Sequence, residues 1–143
     1  MKYVLDTNVL SALMKGDRHA VDRLRAAGKD EIGVPHPALA EIAYGIARLA
    51  RSKRRDALQE RFDLLQTELP RVEWTDEVSE TFGTIKALLE KQGERIEDFD
   101  AAIAAHALSR GAVLVTANVK HMVRVPGLVV DDWSAPATGS PRA

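Results

Sequence analysis

The chain has 143 residues, 45% of them hydrophobic and 29% charged, with no cysteine and with 20 basic residues against 21 acidic ones for a net charge of −1. The length suits one domain that buries roughly two-thirds of its unfolded surface, and the lack of cysteine excludes disulfide scaffolds and thiolate metal sites and fits a reducing compartment. A balanced charge excludes a protein that holds nucleic acid by bulk electrostatics, so such a partner would need a local basic patch or a bound metal.

The first segment, "MKYVLDTN", has one lysine and then a carboxylate at Asp6. It is too short and too charged for a signal-peptide core, and no apolar run approaches membrane-spanning length, so a soluble cytoplasmic protein is expected. Short apolar runs with β-branched residues recur at 2–5 (KYVL), 32–34 (IGV), 72–74 (VEW), 112–115 (AVLV) and 128–130 (LVV). Between them the period lengthens. Val21 and Leu24 mark one helix; Leu39, Ile42, Ala43, Ile46 and Leu49 a second; Leu58, Phe62, Leu65 and Leu69 a third; Val78, Phe82, Ile85, Leu88 and Leu89 a fourth. These are amphipathic three-and-four spacings.

Strands alternating with helices predict an α/β fold, a central parallel sheet of about five short strands flanked by helices on both faces. Pro37 suits a first helical turn, and Gly28, Gly93 and Gly111 suit helix ends. The domain is expected over 1–133, with a small-residue, Pro-rich tail over 134–143 that has nothing to bury and reads as disordered.

Asp6 stands where the first strand would end, and open parallel sheets bind ligands in the crevice outside those carboxyl ends. It equally suits the N-cap of a helix starting near Thr7, a role worth about 0.5–2 kcal/mol. Glu41 lies between Leu39 and Ile42, beside the apolar stripe, with Gly45 leaving room for close approach. The alternative is a first-turn glutamate favoured by the helix dipole.

In "EDFDAAIAAHAL", Ile103, Ala104, Ala107 and Leu108 follow Asp100 at helical spacing, which puts its carboxylate on the stripe facing the sheet. Asp98 is the more natural N-cap, or an additional group at the site. Thr116 and Asn118 follow the run 112–115 and would share an edge with Asp6 if the first and fourth strands are neighbours. As turn caps they would need no site at all.

If Asp6, Glu41 and Asp100 converge, two carboxylates about 5 Å apart repel by roughly 3 kcal/mol at an effective dielectric of about 20, which is about two pKa units. One acid then takes up a proton, or a hard divalent cation neutralises the group. Oxygen-only ligation suits Mg²⁺ or Mn²⁺. His19, His36, His106 and His121 show no ligand spacing and read as structural or surface groups. Arg48, Arg51, Lys53, Arg54, Arg55 and Arg61 form a basic stretch that could guide an RNA backbone or simply be solvated. No aromatic residue interleaves it, which argues against base stacking there.

The order of these segments, "LDTNVL", "ALAEIAYGI", "DFDAAIAAHALSRGAVLVTANVKHM" and "RVPGLVVDDW", resembles PIN-domain ribonucleases and, within them, the VapC toxins of bacterial toxin-antitoxin modules. The third segment is the most specific. The resemblance covers Tyr3 to Trp133 and places the family's metal-binding acids on Asp6, Glu41 and Asp100, with Asp98 just before the last; Thr7 and Asn8 match polar residues near the site. A fourth family position, acidic in many PIN domains, falls on Asn118, which leaves one or two metals open. "PHPAL" lacks the Ser or Thr often found at the start of the Glu41 helix, a role Pro37 would fill by geometry.

The resemblance implies a Mg²⁺- or Mn²⁺-dependent endoribonuclease that hydrolyses RNA with metal-activated water, tRNA or rRNA as substrate, a homodimer, and inhibition by a cognate antitoxin. The alternative is a catalytically inactive or signalling α/β domain with an acidic phosphoryl- or metal-binding pocket. A receiver-like module would pair acids after its first strand, and an aspartate phosphatase would carry a second Asp at position 8, where this chain has Asn.

Overall fold

Tyr3, Val4 and Leu5 form the central strand, β1 (Tyr3–Leu5), and Val4 and Leu5 are fully buried because the sheet is covered on both faces. The computed structural model describes residues 1–136. After β1 come α1 (Thr7–Met14), α2 (Arg18–Ala27), a 3-10 turn (Lys29–Glu31), β2 (Ile32–Pro35), α3 (His36–Ala47), α4 (Lys53–Glu68), β3 (Arg71–Val72), α5 (Asp76–Lys91), α6 (Asp98–Ser109), β4 (Val113–Val115), α7 (Val119–Met122) and β5 (Val130–Asp131). Positions 137–143 of the expected tail lie outside the described residues.

The five strands pair in parallel in the order β3-β2-β1-β4-β5. The chain therefore steps outward from β1 to β3, then returns to the other side of β1. With the right-handed crossovers that parallel strands favour, this order calls for α1 to α4 on one side of the sheet and α5 to α7 on the other, with α3 and α6 meeting each other. In the core, Leu5, Leu10, Ile32, Leu89, Ile103, Leu114 and Trp133 are among the largest fully buried side chains. Truncating one such leucine to alanine costs about 2–5 kcal/mol.

Strand edges differ from the periodicity. β3 is Arg71–Val72 rather than 72–74, because Trp74 leaves the sheet and its indole N–H donates to Ser79 Oγ at 2.6 Å. β5 is Val130–Asp131 rather than 128–130, since the Leu128 N–H turns back to the Val125 carbonyl at 3.3 Å. Ala43, assigned to an apolar stripe, is exposed, and α7 begins directly after Asn118, as the strand-to-helix turn reading of Thr116 and Asn118 implies.

Helix α6 is buried all round from Ala101 to Ala107, not along one stripe. Its alanines are small enough for α5, α3 and the sheet all to pack on it. Gly111 (φ 63°) makes the left-handed turn from α6 into β4, where a Cβ would be strained. At Gly33 in β2 the constraint is space: a Cβ would lie 2.1 Å from Met1 Sδ and 2.2 Å from Val72 Cγ2.

Candidate metal centre

The order of strand addition reverses at β1, which has β2 on one side and β4 on the other, and the crevice beyond the carboxyl ends of β1 and β4 is where an open α/β sheet offers a ligand site. Asp6 leaves β1 into this crevice and is only 2% exposed. Its two oxygens divide the roles that the sequence left as alternatives. Oδ1 accepts the Thr7 backbone N–H at 2.7 Å and caps α1, while Oδ2 accepts the Thr116 hydroxyl at 2.8 Å. Asn8 Nδ2 adds a longer bond to Oδ2 at 3.4 Å, and Asn8 Oδ1 accepts the Ala117 N–H at 3.0 Å. Asn8 thus laces the loop after β1 to the loop after β4.

Glu41 comes from the second turn of α3, and the Thr7 hydroxyl donates to its Oε1 at 2.6 Å. Asp100 stands in the first turn of α6, half-buried, just before that helix enters the core. One carboxylate oxygen from each of Asp6, Glu41 and Asp100 lies within 4.8 Å of the others. Three segments far apart in sequence thus deliver three acids to one point.

That convergence changes their chemistry. Burial pushes the Asp6 carboxyl above its ordinary value, and Glu41's charge adds to the rise against the lowering bonds from Thr116, Thr7 and Asn8. Asp100 is pushed up to about 6, first by burial and then by the charges of Asp6, Glu41 and Glu97. Without a cation, Asp6 and Asp100 hold their protons to higher pH than free carboxylates do.

Oxygens about 2.0–2.6 Å from one ion lie up to about 4–5 Å apart, so this hard, anionic, oxygen-only set fits a divalent cation. Bound there, such an ion supplies Lewis acidity and lowers the pKa of water at neutral pH. The Thr7 and Thr116 hydroxyls meanwhile hold Glu41 Oε1 and Asp6 Oδ2 in place.

Asp98 is not brought to this point. It is exposed and pairs with Lys86 Nζ at 3.0 Å. It is not the helix cap either: Glu97 holds the N-cap position of α6, without a side-chain capping bond. Helical rotation explains both, since two residues turn a side chain about 200° away from Asp100.

Thr116 is buried beside Asp6, and its Oγ1 accepts the Asn118 N–H at 2.9 Å. Asn118 is half-buried at the start of α7. In the basic stretch, Arg48 lies 6.0 Å over the exposed Tyr44 ring, Arg51, Lys53 and Arg54 are exposed, and Arg55 is half-buried at the start of α4. Arg61 is tied to the Met14 carbonyl at 3.2 Å.

The periodicity did not anticipate a polar cleft of about 390 Å³ beside the acids, lined by Arg95, Ile96, Glu97, Asp100, Asn118 and His121. The one available signal was His121 standing three residues after Asn118, on the same side of a helical turn. His19, His36 and His121 are exposed and His106 is buried in α6.

Compared with known proteins, residues 3–128 match the PIN domain family. The chain belongs to the PIN-domain family. This PIN domain is 30% identical over 135 residues to ribonuclease VapC2 of Rickettsia felis, across 93% of this chain and 98% of that one. It is 31% identical over 138 residues to the tRNA(fMet)-specific endonuclease VapC of Shigella flexneri, across 94% and 99%. Its fold superposes with a TM-score of 0.84 on a crystal structure of VapBC2 from Rickettsia felis bound to a promoter DNA fragment, at 29% identity over 93% of this chain and 99% of that one. PIN nucleases use divalent metal ions, and the acid triad of this PIN domain fits one.

Proposed function

We propose that the chain is a Mg²⁺- or Mn²⁺-dependent endoribonuclease acting as the toxin of a toxin-antitoxin pair, with residues 1–133 as its functional unit. The observation that carries this reading is the meeting of Asp6, Glu41 and Asp100, one oxygen each within 4.8 Å, at the switch point of the sheet. These three acids hold the metal. Thr7, Asn8, Thr116 and Asn118 orient or border them, and Arg48, Arg51, Lys53, Arg54 and Arg55 steer the RNA backbone toward the site.

The kinship to a tRNA-specific endonuclease supports an RNA substrate, with tRNA as the leading class and rRNA as the other. The VapBC neighbour supports a cognate antitoxin as partner, and a homodimer is part of the same reading. An apolar groove of about 720 Å³ between α1, α2 and α4, walled by Leu13, Met14, Val21, Leu24, Leu64 and Leu65, suits an amphipathic segment of such a partner. No helix among the described residues is long and apolar enough to cross a membrane, and a cytoplasmic location fits action on cellular RNA.

The test is incubation with total cellular RNA in Mg²⁺, in Mn²⁺ and in EDTA, beside Asp100→Asn, with new 5′ ends mapped by sequencing. Discrete cuts that need metal and vanish in the variant are expected and would name the target. Absence of cuts by antitoxin-free protein would favour the inactive-binder alternative.

A further inference from the structure

Of the acid triad only Asp100 reaches the 390 Å³ cleft, beside Glu97 and Ile96; the rest of its wall is Asn118, His121 and Arg95. Asn118 stands where many PIN domains have an acid, so the first question is what its amide can offer. Its Oδ1, the one atom able to ligate a cation, already lies 2.6 Å from His121 Nδ1. An amide oxygen can only accept, so the imidazole donates from Nδ1, leaving Nε2 as the ring's remaining polar atom. The Asn118 amide nitrogen has no hydrogen-bond partner among the described residues and can only donate.

Arg95 completes the pattern. Its carbonyl accepts from Arg124 Nη1 at 3.3 Å, which holds the backbone, and its guanidinium makes no hydrogen bond or ion pair among the described residues. The Asn118 backbone is held in turn by Thr116 Oγ1 at 2.9 Å, and that hydroxyl donates to Asp6 Oδ2. Asn118 and His121 are thus joined to a metal-site carboxylate by one continuous chain of hydrogen bonds, and Arg95 stands beside them across the cleft.

We propose that Asn118, His121 and Arg95 form an RNA-phosphate subsite beside the acid triad, and that Asn118 is a phosphate-oxygen donor rather than a ligand for a second metal ion. This rests on the nuclease reading above and specifies how that site takes its substrate. One ion and a neutral amide leave the pocket less anionic than a fourth carboxylate would. A backbone phosphate next to the scissile one then meets donors instead of a second cation.

The test uses the full chain stripped of metal. Mn²⁺ is titrated in and the bound ions counted by electron paramagnetic resonance. The Mn²⁺-loaded protein is then titrated with a fluorescein-labelled phosphorothioate RNA, whose sulfur substitution slows hydrolysis, and followed by anisotropy. Wild type, Asn118→Ala and His121→Ala are each expected to take one Mn²⁺ at the same midpoint, while both variants lose about tenfold in RNA affinity.

A weaker Mn²⁺ midpoint or a lost ion in Asn118→Ala would make Asn118 a metal ligand and overturn the proposal. Unchanged RNA affinity in both variants would overturn it too, reducing the pair to a local turn lock. His121 is exposed, so His121→Ala keeps the test valid if Asn118→Ala misfolds. If wild type fails to cut unmodified RNA, the nuclease reading alone falls, because both binding measurements are read without turnover.

Discussion

The Thr7 hydroxyl donates to Glu41 Oε1 across 2.6 Å, joining the first residue of α1 to α3 over a separation of 34 residues. The bond fixes one carboxylate oxygen of the triad while the Thr7 backbone N–H fixes another, on Asp6. One residue therefore sets the rotation of two acids.

Thr7→Val keeps the branched shape and removes the donor. RNA cleavage is expected to fall about tenfold or more, the cost of losing a hydrogen bond to a charged group, and the Mg²⁺ midpoint for activation to rise. Thr7→Ser should restore most of both. A Mg²⁺ titration of cleavage across the three proteins checks this, and unchanged midpoints would remove Thr7 from the site.

Asp6→Asn should abolish cleavage while leaving the metal-free protein as stable as wild type or more so. Asparagine caps a helix about as well as aspartate, so α1 loses little. Removing a buried charge relieves repulsion with Glu41. Thermal melts in EDTA beside cleavage assays separate the two effects.

Stability of the metal-free protein should respond to pH with two opposing signs. Asp100 binds its proton more tightly folded than unfolded, so its contribution is lost as pH rises from 3.8 to about 6. His106 behaves oppositely: burial lowers its value from 6.5, so its contribution is present above 6.5 and lost as pH falls below it. Its ring is held by an Nδ1 bond to the Ala102 carbonyl at 2.7 Å, and Nε2 is buried with no partner among the described residues. Melts across this range should lose the Asp100 limb in Asp100→Asn and the acid limb in His106→Phe.

Divalent cation should stabilise the folded chain by about 2.7 kcal/mol at a hundred times its Kd. The gain should be larger at about pH 7.5 than at about pH 5, because a protonated Asp100 gives up an anionic ligand oxygen. Melts with and without Mg²⁺ at the two pH values read this directly. Equal gains would place the ion elsewhere.

Neutralising Arg54 and Arg55 together should weaken RNA binding more at about 50 mM than at about 200 mM salt, the signature of released counterions. Binding isotherms at the two concentrations decide it. Equal losses would assign these side chains to solvent or to the partner protein.

Much of this was legible in the chain itself. Short apolar runs mark β1 and β4, because a strand covered on both faces buries successive residues, and a three-and-four spacing marks the longer helices, which bury one stripe. Asp100 was conspicuous as a charge among residues that pack inward. Asp6 and Glu41 each carried a bland explanation, since helix caps and first-turn acids look the same whether or not they meet anything.

The strand ends were legible only to within a residue or two. Trp74 and Leu128 carry strand-like side chains but spend their backbone or side-chain bonds in turns. Asp98 looked like a cap or ligand because sequence gives spacing, not rotation, and only packing of α6 turned it toward Lys86.

By itself the sequence determined the α/β alternation, the absence of thiolate ligands and the placing of acids at strand and helix ends. Each of these is decided by residues within a few positions of one another. Tertiary structure alone decided the strand order that makes β1 and β4 neighbours, the meeting of Asp6, Glu41 and Asp100, and the locking of Asn118 by His121 against an open cleft. Those depend on how the helices pack around a parallel sheet whose strand order reverses at β1, and the energies that choose the packing are sums over contacts between residues distant in the chain.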